Sequence, residues 1–308
     1  MILCCGEALI DMLPDNSMGR LSFTPYPGGA VYNTAIALGR LDVPVSLFSG
    51  ISTDFFGDLL RAQLGESNVD TGLLHFADRP TTLAFVTLKD GQACYVFYDE
   101  NTAGRCLGVS DIPTVPAEVK AFFFGGIYLG QEPCGTTFET FMGQVHGYFV
   151  TMLDPNIRTG FIADEAAYRS RLDRMLGYAD IVKLSNEDLA WIDSDAEMAD
   201  WAQSWLNRDV SLIVVTRGDK GAVAFSRDAI VEVLPGQTTV ADTVGAGDTF
   251  NAGLLASFQA QGLLTKTGIG DLSEDAIARA LTFAAEAAAI TVSRPGANPP
   301  WREELSAA

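Results

Sequence analysis

Residues 242–250 read DTVGAGDTF, which sets a carboxylate, Asp248, directly behind a turn of small residues at the start of a helical pattern. Val240 ends a β-branched run before the turn, and Phe250, Leu254, Leu255 and Phe258 recur at helical spacing after it, so the segment reads as strand, tight turn, helix. Gly245 and Gly247 lack Cβ atoms, which lets the backbone take unusual dihedrals and come close to a ligand. The first N–H groups of a helix have no intrahelical partner and sit at the positive end of its dipole, so such a turn suits an anion such as phosphate. A carboxylate there can take the proton of a hydroxyl while the neighbouring N–H groups hold the phosphoryl group that the hydroxyl attacks. An Asp that only caps a helix beside a glycine turn explains a bare G-x-G-D equally well.

Two further places gather groups of the right chemistry. Asp11 closes GEALID just after the first apolar run, and Asn33 follows Gly28 and Gly29 at the start of a helical pattern. A carboxylate that accepts from vicinal hydroxyls and an amide that both donates and accepts suit a polyol. The string VTRGDKGAVAF at 215–225 puts Thr216, Arg217, Gly218 and Gly221 where a strand gives way to a glycine-rich turn, which suits phosphate contact, although a ligand-free hairpin carries similar glycines. No G-x-x-x-x-G-K-[ST] occurs and no intact G-x-G-x-x-G follows the first strand, which argues against a P-loop enzyme and a dinucleotide dehydrogenase.

The elements that must hold these groups alternate. Short apolar runs at 2–5, 45–49, 121–124, 149–153, 181–184 and 212–216 are separated by helical patterns near 32–41, 54–64, 137–145, 165–176 and 197–206, with an Ala-rich helix at 280–292. This predicts an α/β fold, a mainly parallel sheet sandwiched by helices, with ligands beyond the carboxyl ends of the strands. The runs at 81–88 and 93–98 break the pattern: Asp90 and Gly91 between them signal a hairpin, and 22–25 is a companion strand for a small separate sheet.

With 308 residues, 48% hydrophobic and 19% charged, the chain has ample material for one large domain. Its net charge of −19 repels nucleic acid and anionic membranes and also opposes ATP, so a nucleotide site needs helix N-termini, a few basic side chains and bound Mg²⁺. Five cysteines without metal-ligand spacing, and a start that meets Gly6 and Glu7 too soon for a signal peptide, point to a cytoplasmic protein with reduced thiols. His75 and His146 stand far apart outside any H-E-x-x-H, so zinc chemistry is not expected.

The string at 242–248 resembles the D-T-x-G-A-G-D signature of the PfkB, or ribokinase-like, family of carbohydrate kinases. PGGAVYNTAIALGRL at 27–41 with GISTDFFGD at 50–58 is similar to the family's N-terminal signature, and the likeness runs from Met1 to about Leu305. The resemblance implies a single ribokinase-like domain over 1–308, with a β lid formed by 12–26 and 77–105 that covers the sugar. In some members this lid joins two subunits, so a homodimer through it is expected. It implies Asp248 as catalytic base and Gly245, Ala246 and Gly247 as the anion hole. Sugar contacts are implied for Asp11, Gly28, Gly29, Asn33 and Arg158, and nucleotide contacts for Ser185, Thr216, Arg217, Gly218, Gly221 and Gly247. Asp54 and Gly57 match as supports.

Where family members carry K-x-N-x-x-E the chain has KLSNED, with Ser185 and Asp188 at the Asn and Glu positions, so Mg²⁺ is assigned to Glu187 and Asp188. The tail at 293–305 is shorter than that of ribokinase and lacks its cation-binding Ser, leaving Asp242 as a ligand for K⁺. GEALIDMLP and DPNIR look like bacterial fructokinases, while D-x-N-x-R also occurs in 2-keto-3-deoxygluconate kinases. The expected reaction is transfer of the γ-phosphoryl of Mg-ATP to a primary sugar hydroxyl. Fructose ranks first, another ketose, hexose or pentose next, then 2-keto-3-deoxygluconate. A non-catalytic sugar-binding regulator on the same fold is the alternative of another class.

Overall fold

In the computed structural model, which describes residues 1–15, 20–89, 92–236 and 238–305, the apolar runs stack into a nine-stranded sheet. In spatial order its strands are Ile230–Val233, Ala222–Ser226, Leu212–Thr216, Ile181–Ser185, Val150–Asp154, Ala121–Gly125, Ile2–Cys5, Val45–Phe48 and Val69–Asp70. From Leu212–Thr216 onward neighbours pair in parallel, and the two remaining strands close that edge antiparallel. Strands buried on both faces need no polar alternation, which is why ILCC and AFFFG read as continuous apolar runs. Ile2 and Cys4 enter one core layer, Leu3 and Cys5 the other. Helices Ala30–Arg40, Ala246–Ala260 and Glu274–Val292 cover the first face; Cys134–Val145, Glu165–Leu176 and Met198–Leu206 cover the second. The Ala-rich helix lies so close to Ala246–Ala260 that a Cβ on Gly253 would stand 2.6 Å from the Cα of Ala284.

A four-stranded sheet stands apart, in the order Ser22–Gly28, Leu9–Asp15, Leu83–Lys89, Gln92–Tyr98. Its outer pairings are antiparallel and its central one, Leu9–Asp15 with Leu83–Lys89, is parallel. The turn at Asp90 and Gly91 lies outside the described residues. Leu9–Asp15 escapes sequence patterning because of Pro14. That residue lies past Ile10–Met12, the stretch paired with Leu83–Phe85, and is paired on its other side alone, opposite Phe23. Edge-on rings tie the sheet together, Phe23 against Phe85 at 4.9 Å and Phe85 against Tyr98 at 5.4 Å between centroids.

One expected strand is absent. The residues before the glycine turn, 238–241, are irregular and pair with no strand among the described residues; instead the N–H groups of Ala241 and Asp242 both donate to the carbonyl of Val292. That tether docks the turn on the end of the Ala-rich helix. Cys4, Cys5, Cys106 and Cys134 are free thiols, and no helix among the described residues is long and apolar enough to cross a membrane.

Candidate active site

Parallel strands deliver their carboxyl ends to one edge of the sheet, and a cavity of about 1030 Å³ opens there between the sheet, the lid and the turn at 243–248. Gly245 is the N-cap of the helix Ala246–Ala260, with φ 77° and no side-chain cap. A Cβ on it would meet the Ala297 Cβ at 2.8 Å, so both backbone and space demand glycine. Asp248 follows in the first helical turn, 7% exposed, lining the cavity together with Gly245, Ala246 and Gly247. Its Oδ2 accepts from Asn33 Nδ2 at 2.9 Å, and Thr34 Oγ1 lies 3.3 Å from its carbonyl oxygen. Burial pushes the Asp248 carboxyl up to about 7, against the Asn33 hydrogen bond and the Lys183 charge, which pull it down. Such a group is a competent proton acceptor near neutrality.

Behind the turn stands a buried polar network. Lys183, in the strand Ile181–Ser185, extends its ammonium to 2.9 Å from Asp154 Oδ2, and Asn251 Nδ2 donates to the same oxygen at 2.7 Å. The Lys183 Nζ would be 3.1 Å from a Cβ on Gly247, so it lies under the glycine turn as well as on the cavity wall. Burial works to lower the pKa of this ammonium, but Asp154, Asp188 and Asp248 outweigh it and the net direction is up. A chain with a large negative charge thus keeps a cation where phosphate is expected.

On the sugar side Asp11, in the lid strand Leu9–Asp15, is pushed to about 6 by burial. A Cβ on Gly28 would stand 2.2 Å from its Oδ2. Gly29, Asn33 and Arg158 share the same wall. Among the described residues the Arg158 guanidinium donates to the carbonyl of Ile157, at 3.1 Å, and forms no salt bridge. From the lid Phe97 reaches the wall, its ring 4.5 Å from that of Phe161. Asp54 caps the helix Phe55–Glu66 and accepts from Thr81, a support for the lid hinge rather than a cavity residue.

Toward the other end the wall is formed by Thr216, Gly218 and Gly221 facing Ala285, Ala288, Ala289 and Val292 of the Ala-rich helix, and a second hollow of about 630 Å³ adjoins it at Gly236 and Thr238. Arg217 departs from expectation: it does not line the cavity, and its guanidinium is drawn to Glu232 and the Lys220 carbonyl. Ser185 and Asp188 form a capping box, and the Asp188 carboxylate also accepts the Ile157 N–H at 2.8 Å, so both its oxygens serve the fold. Among the described residues none donates a side-chain or backbone hydrogen bond to the exposed Glu187 carboxylate on the same wall. Asp242 stands off the cavity, accepting from Val244 and Gly296. Among the described residues no group of three or more His, Cys, Asp or Glu side chains is arranged to hold a metal.

The structure therefore brings Asp11, Gly29, Asn33, Arg158 and the turn 245–248 to one cavity, with Gly28 behind Asp11 and off the wall, and adds four residues not singled out: Glu7, Asp154, Lys183 and Asn251. Lys183 is visible in hindsight as a charge inside the apolar run IVKLS; Asn251, one helical turn after Asp248, carries no such signal.

Comparison with known proteins places the whole chain. The chain is 48% identical over 278 residues to a fructokinase of Rhizobium leguminosarum bv. trifolii, covering 90% of this chain and 85% of that one. The crystal structure of a Xylella fastidiosa fructokinase with bound ATP superposes with a TM-score of 0.90 at 29% identity, over 96% of this chain and 93% of that one. A Vibrio cholerae fructokinase double mutant with fructose, ADP and potassium ion bound superposes with a TM-score of 0.84 at 25% identity, over 96% and 93%. Residues 1–304 match the model of the pfkB family carbohydrate kinases, and the chain belongs to that family.

Proposed function

We propose that this kinase transfers the γ-phosphoryl of ATP to the primary hydroxyl of fructose, giving fructose 6-phosphate and ADP. The observation that carries the reading is a buried carboxylate, Asp248, in the first turn of a helix whose N-terminal residues Gly245 to Gly247 line the same cavity as Asp11 and Asn33; the 48% identity to a fructokinase supports fructose. Asp11 and Asn33 orient the sugar, and Asn33 also points the base. As the hydroxyl oxygen forms its bond to the γ-phosphorus, Asp248 takes its proton and the bond to the bridging oxygen of ADP breaks. The N–H groups of the turn at 245–247 and the Lys183 ammonium stabilise the charge on the moving group. Lid closure over Phe97 excludes water.

With both Asp188 oxygens engaged, the residues fit a Mg²⁺ carried on the nucleotide phosphates and met from the protein by Glu187. When bound it offsets phosphate charge. Asp242, fixed between Val244 and Gly296, is the place for a K⁺ that would order the turn. The exposed lid side chains Tyr26, Val96 and Tyr98 suit a homodimer through the lid, and a sugar kinase that draws on the ATP pool belongs in the cytoplasm. One observation favours a second substrate: among the described residues the Arg158 guanidinium forms no salt bridge, as a site for the acid group of 2-keto-3-deoxygluconate would require, though its charge acts on Asp248.

A coupled ADP-release assay over fructose, ribose, glucose and 2-keto-3-deoxygluconate tests the reading. Fructose is expected to give the highest kcat/KM; a preference for the sugar acid would move the assignment to the second substrate. Binding without turnover on any of them would make the protein a regulator.

A further inference from the structure

The helix Ala30–Arg40 carries Asn33, and so holds the hydrogen bond that aims Asp248, yet its own N-cap is bare. Gly29 stands there with φ 109°, a value that excludes ordinary side chains, and it contributes no cap hydrogen bond. Gly28 beside it has no room for one either, since a Cβ would press on Asp11. Neither glycine can carry a capping side chain, so a cap has to come from elsewhere in the chain. Glu7 supplies it. From the loop after the first strand its Oε1 accepts the Ala30 N–H at 2.7 Å, and its own carbonyl accepts the Tyr32 N–H at 3.2 Å.

The side chain is 1% exposed and lines the same cavity wall as Asp248. It is boxed in by two glycines: its Cγ is 3.0 Å from the place of a Gly29 Cβ, and its Oε2 fills the place of a Gly126 Cβ. Among the described residues Oε2 has no hydrogen-bond partner. Leaving a buried polar atom unpaired is destabilising, so a residue kept only for stability would not be an acid here. Burial, opposed by backbone hydrogen bonds and reinforced by Asp248, pushes Glu7 up to about 7.

We propose that Glu7 is a positioning residue for phosphoryl transfer, a helix cap supplied at a distance that fixes the first turn of Ala30–Arg40 and, through Asn33, the direction of the Asp248 carboxylate. The role rests on the kinase reading above. What matters is reach rather than charge, so Glu7→Gln, which keeps an acceptor at the Oε1 position, should hold kcat within a few-fold of wild type. Glu7→Asp, one methylene short, should lose at least about tenfold in kcat with the KM for ATP unchanged, since misplacing a reacting group by about 1 Å can cost 10²-fold.

Because Glu7 acts through Asn33, Glu7→Ala should cost less than about twofold further in an Asn33→Ala background, a coupling that a double-mutant cycle reads directly. Hydrogen exchange of the amides of Ala30 to Asn33 should quicken in Glu7→Asp and not in Glu7→Gln, whether or not any sugar is turned over. A wild-type chain that phosphorylates no sugar would overturn the kinase reading alone. Unchanged exchange in Glu7→Asp, full kcat in Glu7→Asp, or losses from Glu7 and Asn33 that multiply would overturn the positioning role. Should Glu7→Ala not fold, the Gln and Asp variants decide by themselves.

Discussion

Replacing Asp248 by Asn removes the proposed base while keeping its size, and the structure sets how large and how pH-dependent the loss should be. Asp248 is buried and titrates at about 7. In the wild type about a tenth of the molecules then carry the ionised base at pH 6 and about nine-tenths at pH 8, so kcat/KM should climb roughly tenfold per unit on the acid side and level off above about 8. Because Asp248 and Glu7 lie close enough to affect one another, the limb reports the pair.

Asp248→Asn should lower kcat by ~10² to 10⁴ and flatten that limb, with sugar binding by calorimetry preserved. Stability should move the other way. The folded-state pKa is raised above the ordinary 3.8, so between about 4 and 7 the folded chain holds a proton that the unfolded chain has released, and stability falls as pH rises through that window. At pH 8 the Asn variant should therefore melt at a higher temperature than wild type, with an upper bound on the order of 4 kcal/mol, and the gain should vanish at pH 4. Near-normal kcat in the variant, an acid limb near pH 4, or a variant less stable than wild type at pH 8 would refute the reasoning.

The other predictions follow from single contacts. In Gly28→Ala the new Cβ falls 2.2 Å from Asp11 Oδ2, so Asp11 must swing aside; the KM for sugar should rise about 10- to 100-fold, the worth of one charged hydrogen bond, with the KM for ATP unchanged in steady-state kinetics. Lys183→Met strands Asp154 as a buried charge and should lower the melting temperature, whereas Lys183→Met with Asp154→Asn should regain stability and still turn over at least about 10²-fold more slowly. Full activity in that double variant would confine Lys183 to a structural role.

The chemistry was legible wherever it lay in consecutive residues. A helix N-terminus is a local object, so DTVGAGD announced a helix start with a carboxylate in its first turn, and the glycines of PGGAVYN announced a close approach. The layered fold was legible too, because strands buried on both faces need runs such as ILCC and AFFFG and amphipathic helices need their own period. The strand expected before the catalytic turn was not, since β-branched residues signal a strand only when a neighbour accepts their hydrogen bonds, and 238–241 has Val292 instead. Arg217 looked like a phosphate ligand from its place in a glycine turn, but Glu232, brought beside it by the folding back of the two edge strands, claims it.

What the residues determined alone was the set of groups and the turns that present them, for local backbone geometry depends on neighbours in sequence. Tertiary structure alone decided which charges meet. Lys183 finds Asp154 across two strands, Asn33 finds Asp248 across 215 positions, and Glu7 caps a helix that its own segment never touches in sequence. Burial raises the carboxyls only once these elements close over them, because the loss of water that shifts a proton belongs to the packed site and to no single stretch of chain.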